Sequence, residues 1–219
     1  MIKNIIFDFD GVIVDSEILA SKAYAKYFNN LGYSLVDEQF YNYSGMKTVE
    51  VIDILTKKYQ ISDKNKFSAD IFKIISNNYT NNLRLVEGVK EYLTSSNKKH
   101  FIGSNSNYDR ILDGLNTVEL NNIFPPSSIY SFDMVNHPKP KPDIYLKILK
   151  DNNLNTEETI IIEDSGVGAK AGKLAGVRVI GITAGKHWHS KRDENELYNN
   201  GVIKVLSSFK DLNDVLEGL

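Results

Sequence analysis

Short apolar runs rich in β-branched residues recur along the chain and alternate with stretches that have helical spacing. Each run has the length of a buried strand. The runs lie at residues 4–9, 99–103, 159–163, 177–182 and 202–206. Strands that alternate with helices predict an α/β fold, a doubly wound parallel sheet covered by helices on both faces.

Helical spacing is clearest between the later runs. Two apolar sets are each spaced for one face of a helix. They are Tyr145, Leu146 and Leu149, and Ile111, Leu112 and Leu115.

Residues 16–82 break this alternation, because they contain apolar stripes of helical spacing and no convincing strand. The stripes are Ala20, Tyr24, Tyr27, Phe28 and Leu31; Ile52, Leu55 and Tyr59; and Phe67, Ile71, Ile75 and Tyr79. We therefore predict a core formed by residues 1–15 and 83–219, with 16–82 inserted as a helical domain above the carboxyl edge of the sheet.

The first run ends in two aspartates, Asp8 and Asp10, and Gly11 follows at once. If the strand geometry persists, both carboxylates point the same way, and the glycine allows a sharp turn. Two close carboxylates repel each other and are costly to desolvate. A cation or a reacting group between the two carboxylates would offset this cost.

Chemically useful residues also stand at three further places. Ser104 and Asn105 follow the second run, and Glu163, Asp164 and Ser165 end a later one. Lys139 lies in the segment His-Pro-Lys-Pro-Lys-Pro-Asp. Ligands of parallel sheets bind at the carboxyl ends of the strands, so these groups are candidates for one site.

Composition excludes several classes of protein. The 219 residues carry a net charge of −2, so no overall basic field draws the chain to nucleic acid or anionic lipid. There is no cysteine, which excludes thiol chemistry, and no apolar stretch approaches the ~20 residues of a membrane helix. The first apolar run meets an aspartate too early for a signal peptide. We expect a soluble cytoplasmic protein.

Together these residues resemble the motifs of the haloacid dehalogenase superfamily, in the branch of capped β-phosphoglucomutase-like proteins and sugar-phosphate phosphatases. Asp-Phe-Asp-Gly-Val-Ile-Val-Asp-Ser-Glu resembles the first motif and Ser104 the second. Lys-Pro-Lys-Pro-Asp resembles the third, and Glu-Asp-Ser with Gly168 the fourth. Any one motif is weak, but all four in order are specific. The resemblance implies a phosphatase with a helical cap at 16–82.

The chemistry that this resemblance implies begins with Asp8. A carboxylate can attack phosphorus and form an aspartyl phosphate, which splits a difficult hydrolysis into two steps. Asp10 would then protonate the leaving oxygen and later deprotonate the attacking water. Lys139 would neutralise the phosphoryl oxygens, and Ser104, Asn105 and the amide of Phe9 would hydrogen-bond to them.

The resemblance also implies Mg²⁺, which suits a few carboxylates together with substrate phosphate. Its ligands would be Asp8, the backbone carbonyl of Asp10, and Asp164, with Glu163 in the shell or beside it. The segment around Gly45, Met46 and Lys47 resembles the cap loop that faces the active site in this family. Lys47 is a candidate for substrate contact, and Glu17 is a weaker one.

Each residue also has a structural explanation. A lone Asp-x-Asp is usually a turn, Ser104 alone fits a helix N-cap, and Glu163 and Asp164 could simply begin a helix. Spacing does not choose between Lys139 and Lys141; the family pattern selects Lys139.

The segment His187-Trp188-His189 has two histidines but no third ligand nearby, which makes a poor zinc site. We interpret it as a surface loop.

One departure bears on the reaction. β-Phosphoglucomutase-like mutases have a histidine in the first cap helix, at the position of Ala20 here. We therefore favour a plain phosphatase acting as a monomer on a small phosphorylated metabolite, such as a sugar or sugar-acid phosphate. A phosphosugar mutase is the alternative. A non-catalytic protein similar to receiver domains is a third hypothesis, although receivers need no cap. Asp10 argues against carbon–halogen cleavage, since dehalogenase members generally lack it.

Overall fold

The computed structural model describes residues 1–43, 46–190 and 192–219. Within these residues the chain forms an α/β fold around one parallel sheet of six strands. The strands are β1 (Asn4–Phe7), β2 (Lys99–Ser104), β3 (Ile129–Ser131), β4 (Thr159–Glu163), β5 (Arg178–Ile182) and β6 (Val202–Leu206). The predicted fold class is confirmed.

Helices account for most of the remaining structure. The α-helices are α1 (Glu17–Asn30), α2 (Thr48–Lys58), α3 (Lys64–Asn82), α4 (Val89–Ser95), α5 (Tyr108–Thr117), α6 (Asp143–Asp151), α7 (Gly166–Leu174), α8 (Asn195–Asn199) and α9 (Leu212–Glu217). Short 3₁₀ segments lie at Asp37–Tyr43, Pro126–Ser128, Phe132–Met134, Thr156–Glu158 and Phe209–Asp211. No helix among the described residues combines the length and apolar character that a membrane span requires.

The strands lie in the order β3-β2-β1-β4-β5-β6, and every neighbouring pair is parallel. The chain moves outward from β1 to β3 and then returns to place β4 on the other side of β1. Ligands of open parallel sheets bind outside the strand ends at such a reversal. The ends of β1 and β4 are therefore the expected location of a site.

Both faces of the sheet are buried, which explains why its central strands are apolar without interruption. In β1, Ile5 and Phe7 join the core cluster on one face, and Ile6 joins the cluster on the other. In β4, Ile160 and Ile161 divide in the same way. This rigid centre holds the strand ends in place.

The stretch between β1 and α4 is helical, and its side chains form a third apolar cluster. The cluster includes Phe28 from α1, Leu55 from α2 and Phe67 from α3, all fully buried. Near the end of α3, Tyr79 packs instead with the core cluster of the sheet. We retain the division into a core of 1–15 and 83–219 and a cap of 16–82 as a prediction.

Several local predictions were wrong. The first strand ends at Phe7 rather than at residue 9, so Asp8 and Asp10 lie beyond it. The short strand β3 was missed. Leu31 is 56% exposed because it follows the end of α1, and Leu146 is 45% exposed because α6 buries the side that carries Tyr145 and Leu149.

Candidate active site

A cavity of about 380 Å³ lies at the carboxyl edge of the sheet, where residues of α1, α2 and α3 also line it. The sheet side is lined by groups that the sequence singled out, among them Asp8, Asp10, Ser104, Asn105 and Lys139. Residues of the helical stretch between β1 and α4 line the other side, including Glu17, Met46 and Lys47. Gly45 lies outside the described residues. The cavity thus combines residues that are far apart in sequence.

Asp8 is placed by the sheet itself. Its backbone N–H donates to the carbonyl of Ile162 at 2.9 Å, which extends the pairing of β1 with β4 by one residue. Burial raises the pKa of Asp8 well above its ordinary value; Lys139 opposes this effect, and Glu163 and Asp164 add to it. Asp8 is therefore a carboxylate that needs nearby positive charge to stay ionised.

Lys139 supplies one such charge. Its Nζ lies 2.9 Å from Oδ1 of Asp8 and 2.6 Å from Oε1 of Glu163. Burial by itself would lower the pKa of Lys139, but the charges of Asp8 and Glu163 outweigh it and raise that pKa. The ammonium group stays charged and faces the carboxylate of Asp8. Lys141, by contrast, is exposed.

Glu163 is held on both of its oxygens. Oε1 accepts hydrogen bonds from Lys139 and from the hydroxyl of Tyr145, at 2.6 and 2.7 Å. Oε2 accepts from the hydroxyl of Ser165 at 3.1 Å and from two backbone N–H groups. A Cβ at Gly168 would overlap this carboxyl group, so the residue leaves space for it. Glu163 thereby anchors Lys139 in place.

Asp10 lies in a different environment. Oδ1 accepts from the hydroxyl of Ser16 at 2.5 Å and from Arg110 at 3.0 Å, and Oδ2 accepts from the hydroxyl of Ser106 at 2.5 Å. Burial would raise the pKa of Asp10, but Arg110 and the two serine hydroxyls outweigh it and lower that pKa. The two aspartates of one motif are thus pushed in opposite directions, which is a pattern of acid–base pairs in enzymes.

The second motif contributes mainly to the shape of the cavity. Ser104 is buried, and its Oγ accepts from the N–H of Ser106 at 3.0 Å. Asn105 donates to the carbonyl of Lys139 at 3.2 Å and accepts from its N–H at 2.9 Å. This double contact fixes the segment that carries the lysine. The side chain of Phe9 is buried in the core.

Three carboxylates form a cluster that could hold a metal ion. Asp8, Glu163 and Asp164 each place one oxygen within 4.8 Å of the others. Burial and the charge of Glu163 raise the pKa of Asp164 well above its ordinary value, against the effects of Arg192 and Lys139. Three carboxylates therefore lie beside a single ammonium group, and keeping all of them ionised requires more positive charge than Lys139 supplies. An all-oxygen donor set of this kind suits Mg²⁺.

The interpretation of His187 as part of a surface loop was wrong. Its side chain is fully buried, and Nε2 lies 2.8 Å from Oδ2 of Asp164. Burial lowers the pKa of His187 to about 4, so the ring is neutral near pH 7. Nothing in the local pattern indicated this burial, because the residue lies in a loop.

Sequence reasoning also missed four residues of the site: Ser16, Ser106, Arg110 and Tyr145. Arg110 comes from α5, where its guanidinium stacks 4.4 Å from the ring centre of Tyr79 on α3. Helical spacing places Arg110 on α5 but does not reveal that this part of α5 faces the end of β1. Ser106 carried a weak signal, since it lies two residues after Ser104.

The model of the family described as haloacid dehalogenase-like hydrolase matches residues 5–182. The chain belongs to this family. The 6-phosphogluconate phosphatase of Escherichia coli is 27% identical over 188 residues, which covers 85% of each chain. The phosphorylated carbohydrates phosphatase of Thermotoga maritima is 27% identical over 223 residues, 99% of this chain and all of the relative.

A solved structure from Thermotoga maritima, named as a β-phosphoglucomutase, superposes with a TM-score of 0.80 at 26% identity and covers the whole of both chains. The resemblance to this branch of the family is thus confirmed. The matching family model is described as a hydrolase, and both curated relatives are named as phosphatases. The chain is accordingly a hydrolase of the phosphatase kind.

Proposed function

We propose that the protein is a Mg²⁺-dependent phosphatase that hydrolyses a small phosphorylated metabolite, a sugar or sugar-acid phosphate, through an aspartyl phosphate. One observation carries the proposal: the Asp8 carboxylate faces the cavity, 2.9 Å from the buried ammonium of Lys139 and within 4.8 Å of Glu163 and Asp164. Such a group is suited to attack phosphorus where anionic charge is offset.

In this mechanism Asp8 is the nucleophile and Asp10 is the general acid and base. An oxygen of Asp8 attacks phosphorus, the bond to the leaving oxygen breaks, and that oxygen takes a proton from Asp10. A water molecule then attacks phosphorus in the aspartyl phosphate and gives its proton to Asp10. The bond between phosphorus and the Asp8 oxygen breaks, so phosphate is released and the Asp8 carboxylate is restored. The ion pair with Arg110 favours the ionised form of Asp10, which is the form that accepts the water proton.

The remaining groups bind the phosphoryl oxygens. Lys139, beside Glu163, would donate to them. Ser104 at the end of β2, Asn105 directly after it and the amide of Phe9 after β1 would donate as well. Asp8, the carbonyl of Asp10, and Asp164 would hold Mg²⁺, with Glu163 beside it. The bound ion would offset the negative charge that accumulates when phosphate meets three carboxylates.

The cavity volume of about 380 Å³ falls in the range of small-molecule sites. Its cap side mixes polar groups, such as Glu17 and Lys47, with apolar ones, such as Met46 and Phe40. The Nζ of Lys47 lies 5.6 Å from the ring centre of Phe132, which also lines the cavity. The names of the two phosphatase relatives support phosphorylated carbohydrates or sugar acids as substrates. The monomeric state and the cytoplasmic location stand as predictions from the sequence.

The test is hydrolysis of an aryl phosphate and of a panel of sugar and sugar-acid phosphates, with and without Mg²⁺. We expect phosphate release that EDTA abolishes and that D8N lowers by at least about a thousandfold, because removing a nucleophile costs that much or more. K141M, which changes an exposed lysine, serves as the control. Undiminished turnover by D8N would refute the proposal.

A phosphosugar mutase is the second candidate, supported by the β-phosphoglucomutase name of the neighbour from Thermotoga maritima. Ala20 lines the cavity and offers no acid–base group there. The two functions differ in their products. Isomerisation of β-glucose 1-phosphate with a bisphosphate activator, without net release of phosphate, would favour the mutase.

A further inference from the structure

We propose that His187 is a positioning residue, which holds the carboxylate of Asp164 in the orientation needed to bind the divalent cation. The inference rests on the proposed function, since it concerns the cation of that same site. It goes beyond the carboxylate cluster, because His187 lies outside the three residues whose oxygens approach one another within 4.8 Å.

The contact between the two side chains is close and buried. Nε2 of His187 lies 2.8 Å from Oδ2 of Asp164, and the two side chains are 0% and 3% exposed. Among the described residues, neither ring nitrogen completes a well-directed hydrogen bond. A buried polar ring without another partner is costly, so Asp164 is the group to which Nε2 can donate. If Oδ2 is taken by the ring, Oδ1 remains for the cation.

Two glycines make room for the imidazole. A Cβ at Gly185 would lie 2.8 Å from Cε1 of His187, and a Cβ at Gly11 would lie 3.0 Å from the same atom. Gly11 has a φ of +82°, and its missing side chain also leaves space for Oδ2 of Asp164. The ring thus occupies a slot between the turn that follows Asp10 and its own loop.

The neighbouring residues bind the same loop to the site. The indole Nε1–H of Trp188 donates to the carbonyl of Asp164 at 3.1 Å, and the N–H of Lys186 donates to Oδ1 of Asp15 at 3.1 Å. Arg192 covers the Trp188 ring at 4.0 Å from its centre. The Asp164 carboxylate therefore contacts His187, and the backbone carbonyl of Asp164 is held by Trp188.

Outer partners of this kind fix the orientation of a ligand before the metal arrives. Without the N–H of His187, Oδ2 of Asp164 would lose the contact that holds it toward the ring, and binding the cation would have to supply the free energy of orienting the carboxylate. The expected consequence is weaker binding of the cation, even before any substrate is present.

The test measures binding of Mn²⁺ alone by electron paramagnetic resonance, and of Mg²⁺ by calorimetry, to the purified full chain. H187F keeps the ring shape without an N–H and should weaken both affinities about tenfold to a hundredfold, whereas H187Q, which can donate from nearly the same place, should stay within about threefold. H100F, at a partly buried histidine on β2, is the matched control. Turnover at low Mg²⁺ should be lowest in H187F and near that of the wild type in H187Q. The loss in H187F should be recovered at high Mg²⁺.

Equal affinities of H187F and the wild type would overturn the inference while leaving the phosphatase proposal intact. If the wild type binds neither cation, the proposed metal site fails and the inference fails with it. If H187F does not fold, H187N and H187Q decide, since the shorter asparagine cannot reach Oδ2. Loss of affinity in H187N alone supports the positioning role, and equal affinities refute it.

Discussion

Lys139 and Glu163 form an ion pair with no access to solvent on the glutamate side and 3% exposure on the lysine side, with 2.6 Å between Nζ and Oε1. The same ammonium group contacts Asp8 at 2.9 Å. A single ammonium group therefore forms ion pairs with two buried carboxylates, and its loss leaves both without an ion-pair partner among the described residues.

We expect K139M to lower the free energy of unfolding by about 3–5 kcal/mol, because removing one partner of a buried pair leaves an uncompensated charge. Urea denaturation in EDTA measures this. K141M changes a lysine that is exposed two residues later, and it should stay within about 0.5 kcal/mol of the wild type. Similar midpoints for the two variants would show that the buried pair is not structurally important.

Arg110 sets the protonation of Asp10. Burial favours the neutral acid, and the charge of Arg110 is the largest effect that opposes it. In R110Q the pKa of Asp10 should rise. At saturating Mg²⁺, where the bound cation would hold Asp8 ionised, the acidic limb of the pH–kcat profile should therefore move to higher pH. An aryl phosphate is the right substrate, because its leaving group needs little protonation and turnover then reports on the base role. R110K keeps the charge and should move the limb less; a limb that does not move contradicts this account.

Gly168 gives Glu163 its space. Replacing a glycine inside a helix by alanine normally gains up to about 1 kcal/mol. In G168A the new methyl group would overlap the Glu163 carboxyl group, and we expect a loss of roughly 1–3 kcal/mol instead, together with reduced turnover. G218A is the control, since its Cβ would lie 3.7 Å from the nearest atom. A stabilised and fully active G168A would disprove the close approach.

We expect His100 to contribute to the loss of stability of the fold at acidic pH. Its ring packs against Phe7, Tyr92 and Phe124, and burial, with Lys98, lowers its pKa from 6.5 to about 4. The unfolded chain binds the proton more readily, so stability is lost as the pH falls from about 6.5 to about 4. H100F should lose less stability over that interval, as measured by urea denaturation at several pH values. Parallel curves for H100F and the wild type would exclude this contribution.

The sheet and the outline of the site follow from local patterns. Continuous apolar runs predicted five of the six strands, because strands covered on both faces have no polar side. The carboxyl ends of parallel strands share one edge, which is why Asp8, Ser104 and Asp164 were expected together. The strand β3, of only three residues, is too short for any periodicity to reveal it.

The partners of these residues did not follow from local patterns. Asp8 meets Lys139 across 131 positions, and Asp10 meets Arg110 across 100. His187 was expected in an exposed surface loop, but its side chain is buried against Asp164. Such contacts depend on how helices and loops pack above the sheet, and no spacing within either segment encodes that.

The sequence by itself thus determined the alternation of strands and helices and the chemical groups at the strand ends, since both depend on periodicity and on the identity of neighbouring residues. Only the tertiary structure decided the charge state of each group and the residues that form hydrogen bonds and ion pairs with it. Burial and distance set those properties, and they arise when segments far apart in the chain come together. Asp8 and Asp10 illustrate the difference, because they are two residues apart in one motif and have pKa values shifted in opposite directions.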